Sequence, residues 1–333
     1  PSPNIEYKRY GLFETKLLEN KRGKGKVNIC SPVSLGLSTG EYMPISGIEE
    51  LPRDQRNDDE FSLCFDSEIL SDPLDILGTA LVHLRLSSNY KCGLIAARLC
   101  DLAPDGSSTL ISFGVLNLKQ RKGREILTEV VPDKEMDLTL RFNDTGWSLK
   151  PGHKLRLALS TNLWPMAWPV EKMVTLKLNL KDCTLEIPTR KSMKGRGKKI
   201  LLGEPTSAEP LDHTVLKEPT GSREFYHNKK DNTVSLKVAS YTGQIKFNEI
   251  DLTYCSSNSQ IYSIKENDIL SPKITYEAEF GFSRDTWNVQ TKSKLVVTCS
   301  ERNFFLKGSI FGYENDIQVF TRGWDIAIPR VVF

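Results

Sequence analysis

The sequence lacks any stretch that could cross a membrane as a helix. No apolar run approaches the roughly 20 residues that a bilayer requires, and no signal-peptide pattern opens the chain. The net charge is only +3 over 333 residues, so charge gives no general argument for an acidic partner. We therefore expect no nucleic acid and no membrane among the partners of this protein.

Paired cysteines are also missing. The sequence has 7 cysteines, an odd number, and no Cys-x-x-Cys pair. Most of them stand among apolar neighbours, as in "SLCF", "RLCDL" and "VVTCS". This pattern indicates reduced cysteines within strands, without a disulfide framework or a zinc site, and it predicts a cytoplasmic protein.

Motifs of catalytic chemistry are missing as well. The Gly-x-Ser-x-Gly elbow of serine hydrolases does not occur in the strand–turn–helix context that such an elbow requires. The four histidines, at positions 83, 153, 213 and 227, show no metal-ligand spacing. The stretch "KRGKGK" (21–26) lacks the strand–loop–helix frame of a phosphate-binding loop. We expect no catalytic residue, no metal and no cofactor in this chain.

One stretch, "RLCDLAPDG" (98–106), places the thiol of Cys100 next to Asp101 and near Asp105. A catalytic thiol needs a base and an electropositive environment, whereas nearby carboxylates raise its pKa. Proline, aspartate and glycine at 104–106 are typical of a tight turn, because proline presets one dihedral angle and glycine permits a positive one. We predict a strand that ends in a turn, with Cys100 buried.

Short alternating segments typical of strands dominate the rest of the chain. Examples are "TALVHLRLSS", "TLISFGVLNL" and "HKLRLALS", separated by turn clusters such as "PDGSS" and "NDTG". We predict an all-β fold, with a jelly-roll β-sandwich over residues 1–188 and a second, smaller antiparallel β domain over 223–333. Residues 189–222, rich in basic residues, proline and glycine, are predicted to be a linker.

Three features of the sequence could serve binding. The basic run Arg190–Lys199 has no interleaved aromatic residues, which favours a solvated linker over a nucleic-acid or lipid site. The acidic stretch "RDQRNDDE" (53–60) is a weak candidate for calcium, since it lacks a fixed ligand spacing. Trp164 and Trp168, between prolines in "NLWPMAWP", could form an aromatic loop for a ligand or partner, or could pack in the core.

Several segments in order resemble one family. They are "GEYMPISGIEELPRDQRNDDEFSLCFDSEILSDPLDILG", "LVHLRLSSNYKCGLIAARLCDLAPDGSSTLISFGVLNLKQR", "GWSLKPGHKLRLALSTNLWPMAWP" and "MVTLKLNL". Over residues 1–188 the chain resembles the C-terminal jelly-roll (galactose-binding-like) domain of the CocE/NonD serine hydrolases. This family includes cocaine-esterase-like enzymes, X-Pro dipeptidyl peptidases, glutaryl acylases and α-amino-acid ester hydrolases. The end of the chain, including "TRGWDIAIPR", resembles the tail of longer members.

The resemblance implies an accessory role. In this family the Ser-Asp-His triad lies in an α/β-hydrolase domain ahead of the jelly roll, and no triad residue can be carried over to this chain. Pro1 lies within what looks like running sequence, "PSPNIEY", so we expect a fragment or a processed product. The expected partners are the α/β-hydrolase catalytic domain of the same polypeptide and a further copy in a homo-oligomer.

By the resemblance, some residues are candidates for a face toward the substrate cleft or the catalytic domain: Leu84, Arg85, Trp164, Met166 and Trp168. Arg85 could equally be a plain surface charge. If the tryptophans lie on a docking surface, an exposed apolar patch should have Trp164, Met166 and Trp168 at its rim. Two other hypotheses stay open: a stand-alone carbohydrate- or ligand-binding module, and a unit whose second β domain mediates oligomerisation.

Overall fold

The fold is that of a computed structural model, which describes residues 4–41, 50–191 and 202–331. In these ranges β-strands dominate, as the alternating segments predict, and they form two separate sheets. The prediction of an all-β chain, with a β-sandwich followed by a second antiparallel β domain, is confirmed.

The first sheet contains thirteen strands. They are β1 (Ile5–Phe13), β2 (Lys16–Glu19), β3 (Lys26–Ile29), β4 (Leu63–Asp66), β5 (Leu74–Gly78), β6 (Leu81–Ser88), β7 (Leu94–Leu102), β8 (Ser108–Asn117), β9 (Met136–Arg141), β10 (Thr145–Leu149), β11 (Lys154–Ser160), β12 (Leu176–Asn179) and β13 (Thr184–Arg190). One short helix, α1 (Arg56–Asp59), and 3-10 turns at Leu118–Gln120 and Leu180–Asp182 accompany them.

This sheet folds over so that its two parts enclose one core. Strands β8, β7, β11 and β4 are neighbours in that order, while β6 pairs with β9 on one edge and with β12 and β13 on the other. Side chains from both parts meet in a single hydrophobic cluster, for example Leu84 of β6, Leu99 of β7 and Leu157 of β11. The first unit is therefore a β-sandwich.

The second sheet contains eight strands. They are β14 (His213–Lys217), β15 (Thr220–Asn228), β16 (Thr233–Phe247), β17 (Leu252–Lys265), β18 (Asp268–Arg284), β19 (Trp287–Cys299), β20 (Asn303–Glu314) and β21 (Ile317–Pro329), with a 3-10 turn at Asn248–Ile250. From β16 to β21 each strand pairs with the next in antiparallel fashion, so this unit is a single layer.

The linker differs from the prediction at its carboxyl end. The sequence analysis placed a linker over 189–222, whereas β13 continues to Arg190 and the second sheet begins at His213. Strand β14 has no buried side chain, so it carries no hydrophobic alternation by which the sequence could mark it as a strand. Most of the basic run Arg190–Lys199 lies outside the described residues.

The stretch 98–106 is a strand followed by a turn, as predicted. Cys100 lies within β7 and is fully buried. The amide of Gly106, with a φ of 84°, donates to the carbonyl of Ala103 over 2.9 Å, and the carboxylate of Asp105 accepts from the Ser107 amide. The turn interpretation is confirmed, and the carboxylate belongs to the turn rather than to a reactive centre.

A buried guanidinium lies between the sheet and the segment around α1. Arg98 of β7 is fully buried, and its Nη2 lies 3.0 Å from the Oδ1 of Asp59 in α1. Its Nη1 donates to Gln55 over 3.0 Å. Asp59 also lies 3.1 Å from Arg156, which in turn makes two hydrogen bonds to Asp66. A charge held away from water needs such partners, so this network attaches the segment around α1 to the sheet.

We expect Arg98→Ala to lower the free energy of unfolding by about 3–5 kcal/mol, because Asp59 then stays buried without its main partner. Denaturant titration followed by circular dichroism measures this loss. The control is Arg141→Ala, whose side chain is 68% exposed beside Asp144 and whose loss should cost less than about 1 kcal/mol. Equal effects of the two substitutions would contradict the structural role of Arg98.

Candidate functional site at the junction of the two β units

The candidates on β6 point in opposite directions. Leu84 is 2% exposed and belongs to the core of the sandwich. Its neighbours His83 and Arg85 face outward, since the side chains of a strand alternate. The sequence prediction that His83 and Leu84 lie on opposite sides of the strand is confirmed. Leu84 packs against other side chains of this chain.

Arg85 lies in a cluster of surface charges. Its Nε is 2.8 Å from Glu135 and 3.9 Å from Asp182, and its Nη1 is 3.7 Å from Asp137. Hydrogen bonds from Lys26 and Arg85 lower the pKa of Glu135 to about 2. In this chain Arg85 therefore serves as a counter-charge for three carboxylates on the outer face of the sheet.

The tryptophan loop is held close to an N-terminal segment of the sandwich. The amide of Trp164 donates to the carbonyl of Leu35 over 2.6 Å. Gly36, the residue after Leu35, has a φ of 117°. A Cβ on Gly36 would lie 2.6 Å from the carbonyl oxygen of Trp164. Only glycine permits this close approach, so Gly36 fixes the loop on the surface of the sandwich.

The two tryptophans contact the second β unit. Trp164 is fully buried in a cluster with Val33 and Ile264, and its ring stands edge-on to Trp168 at 5.4 Å between centroids. Trp168 in turn packs edge-on against Phe304 at 5.3 Å. Edge-to-face aromatic pairs add to the gain from burial, so this cluster is the apolar centre of the junction.

Polar contacts surround this aromatic centre. Arg330 donates to the carbonyl of Pro169 over 2.6 Å, and Arg223 donates to the carbonyl of Leu37 over 3.0 Å. The Ser34 hydroxyl donates to Glu266. The Trp168 indole donates to the sulfur of Cys299 over 3.3 Å.

The expectation of an exposed tryptophan rim is wrong for Trp164. The surface that the sequence analysis assigned to a partner is covered by the second β unit of the same chain. Trp168 is half-buried at that junction, and Met166 packs against the sandwich core. Sequence could not identify this occupant, because the contacts join residues about a hundred positions apart.

A cavity of about 830 Å³ opens beside the junction. Leu37 and Phe61 of the first unit and Phe225 of the second form apolar parts of its wall. Asp58 adds a carboxylate that accepts from the amides of Gly36 and Ser38, each over 3.1 Å. Burial raises the pKa of Asp58. The volume and the mixed wall suit a small ligand with an apolar part.

The sequence analysis did not single out this cavity. Phe61 and Phe225 stand in unrelated segments, and nothing in their spacing indicates a shared wall. Asp58 and Asp59 were part of the weak calcium candidate 53–60. Their carboxylates instead accept backbone amides and pair with guanidinium groups, and the described part of the chain shows no group of three or more metal-ligating side chains.

One histidine has both a hydroxyl and a carboxylate nearby. The Nδ1 of His83 lies 2.9 Å from the Thr139 hydroxyl, and its Nε2 lies 3.7 Å from Glu186. These groups stand on an open sheet face where β6 is paired on both edges, so its backbone amides cannot form an oxyanion hole. The arrangement is a polar contact between strands rather than a catalytic triad.

The geometry defines a β-sandwich with an attached β sheet. The chain belongs to the family of X-Pro dipeptidyl-peptidase C-terminal non-catalytic domains, which matches residues 1–211. The resemblance to the C-terminal part of the CocE/NonD hydrolases is confirmed. The described residues include no helix long and apolar enough to pass through a bilayer.

Individual relatives match parts of the chain. Cocaine esterase from Rhodococcus sp. (strain MB1 Bresler) is 27% identical over 179 residues, which cover 50% of this chain and 31% of that protein. Xaa-Pro dipeptidyl-peptidase from Streptococcus gordonii is 28% identical over 156 residues, 37% of this chain and 21% of that protein. The chain thus matches less than a third of either relative's length.

A solved structure shares the fold. The aminopeptidase from the marine sediment archaeon Thaumarchaeota archaeon superimposes with a TM-score of 0.50 and 18% sequence identity. The match covers 57% of this chain and 38% of the aminopeptidase. At this identity the comparison supports the fold alone.

We expect Trp164→Ala to destabilise the protein by about 3–5 kcal/mol, since it removes a fully buried ring from the junction. Denaturant titration, followed with one signal from the first unit and one from the second, measures the loss in free energy of unfolding. It also shows whether the two units then unfold in separate transitions. Phe305→Ala is the control, because Phe305 is 39% exposed on the second sheet. An effect of Trp164→Ala no larger than that of the control would contradict the anchoring role.

We expect Cys100 to react slowly with thiol reagents in the folded protein, because burial raises its pKa to about 12. The exposed Cys30 is an internal control that should be labelled first. Peptide mass spectrometry after brief treatment at neutral pH measures both sites. Labelling of Cys100 as fast as that of Cys30 would restore the catalytic-thiol hypothesis.

Proposed function

We propose that this chain is the accessory, non-catalytic region of a CocE/NonD-type serine hydrolase. In this role it packs on the α/β-hydrolase catalytic domain of the same polypeptide and helps to wall the substrate cleft. The observation that carries the proposal is the match of residues 1–211 to a family of non-catalytic domains. The relatives include an esterase and a dipeptidyl-peptidase, so the proposed parent enzyme cleaves ester or amide bonds, including X-Pro dipeptide bonds.

The side chains of the described residues support a scaffolding role. Cys100 is buried, and His83 stands on an open sheet face without an oxyanion hole. His153 lies 2.6 Å from the Asp101 carboxylate, but the described residues bring no serine hydroxyl to its ring. A serine nucleophile needs a base, an orienting acid and an oxyanion hole together. The proposed parent enzyme therefore draws these groups from its catalytic domain.

The cavity at the junction is our candidate for the part of the cleft wall that this chain supplies. Leu84 and Trp164 are buried within the chain, whereas Phe61 is 55% exposed at the cavity and Phe225 is 47% exposed. A wall that combines apolar side chains with polar groups can hold a substrate's side chain without taking part in the chemistry. Arg85 remains on the outer face of β6 as a second candidate contact with the catalytic domain.

A stand-alone ligand-binding module is the second candidate function. The cavity volume, about 830 Å³, lies within the range of small-molecule sites and favours it. In that case the chain would bind its ligand without a catalytic partner. The experiment below separates the two functions, because only the first requires a serine elbow in the same reading frame.

We expect the purified chain to hydrolyse neither nitrophenyl esters nor X-Pro anilides. The reading frame that encodes it should also encode a Gly-x-Ser-x-Gly elbow upstream of Pro1, and the longer product should hydrolyse one of these substrates. Replacing the elbow serine by alanine should abolish that activity and leave the fold of this chain unchanged. Turnover by the chain alone that a serine-directed inhibitor stops, or a frame without an elbow, would contradict the proposal.

A further inference from the structure

The second sheet has two chemically different faces. On β18 to β21, cross-strand pairing places one set of side chains on a common face: Phe280, Phe282, Trp287, Leu295, Ile310, Phe320, Trp324 and Ile326. We call this the aromatic face. The opposite face carries charged cross-strand pairs such as Lys294 with Glu277, 2.7 Å apart. Such alternation is typical of a sheet with one side in water and the other side covered.

Among the described residues, the sandwich covers the aromatic face at one end. Trp168 contacts Phe304 and Cys299 there, where β19 ends and β20 begins. Toward the other end the face is open, with Phe280 46% and Phe320 52% exposed. The open part is continuous with the part that the tryptophan loop covers. A partner that binds the open part would therefore make the same kind of apolar contact.

We infer that the open part of the aromatic face binds the same part of a second copy of this chain, face to face about a two-fold axis. In this arrangement two single-layer sheets become the two layers of a sandwich, about 10 Å apart. This inference does not depend on the proposed enzymatic role, because it concerns only the second β unit.

Two charges on the aromatic face, Arg322 and Glu314, are complementary to each other. Phe280, Thr291, Gly312 and Phe320 lie in one row across the four strands. Arg322 pairs with Ile310, two residues to one side of this row, and Glu314 lies two residues to the other side. A two-fold axis that runs along the row therefore brings Arg322 of each copy close to Glu314 of the other, one strand apart across the interface. Isologous contacts have this reciprocal property.

The exposed aromatic side chains supply most of the area that a stable contact needs. Phe282, Trp287 and Trp324 are 39%, 43% and 38% exposed, in addition to Phe280 and Phe320. With about 200 Å² for each fully exposed aromatic side chain, these five expose about 450 Å² per copy, or about 900 Å² over two copies. Stable interfaces bury about 1,200–2,000 Å² in total, so the aromatic rings alone approach the lower limit.

Sedimentation velocity of the whole chain between about 1 and about 100 µM tests this inference. We expect a dimer that dissociates on dilution. Arg322→Glu should raise the dissociation constant at least about tenfold, because like charges then face each other at two positions. The double variant Arg322→Glu with Glu314→Arg should restore most of the affinity. Both positions are exposed in the single chain, so the fold should persist, which circular dichroism checks.

The matched control is Lys307→Glu, a charge reversal at an exposed residue of β20 that pairs with Asp325 on the opposite face. It should leave the dissociation constant nearly unchanged. A chain that stays monomeric at the highest concentration would overturn the inference and indicate that another molecule covers the face. A dimer insensitive to Arg322→Glu, equally sensitive to Lys307→Glu, or not restored by the double variant would overturn the proposed arrangement.

Discussion

The need to cover the apolar face of a β-sheet shapes both units of this protein. In the first unit the sheet folds over, so that β6, β7 and β11 bury their inner side chains in one core. The second unit is a single layer and cannot do this alone. Its aromatic face is covered at one end by the loop of Trp164 and Trp168, which explains why a proline-flanked aromatic loop lies on the outside of the sandwich.

Local patterns predicted what depends on neighbouring residues. Alternation assigned strands such as β6, β8 and β11 and placed His83 and Leu84 on opposite sides of β6, and the chemistry of proline and glycine identified the turn after Cys100. The position of Trp164 and the wall formed by Phe61 and Phe225 could not be predicted in this way. These contacts depend on how two distant segments pack, and a single sequence carries no local signal for that packing.

Buried charged residues belong to the architecture of the first unit. The mostly apolar strand β7 gives no sign that its one arginine is buried, yet Arg98 is fully buried and lies 3.0 Å from Asp59. The acidic stretch around α1 therefore has a structural explanation that its composition did not suggest. The same segment contributes Asp58 to the junction cavity, so the network also positions part of that wall.

The junction between the units has the anatomy of a specific protein–protein interface, with aromatic rings at its centre and hydrogen bonds at its rim. Arg330 and Arg223 reach backbone carbonyls of the first unit from two different strand regions of the second. Because these contacts lie at separate places on the shared surface, they oppose rotation of one unit relative to the other. The units are therefore held together by this shared surface. Because the cavity is bounded by Phe61 from one unit and Phe225 from the other, its shape is set by that same surface.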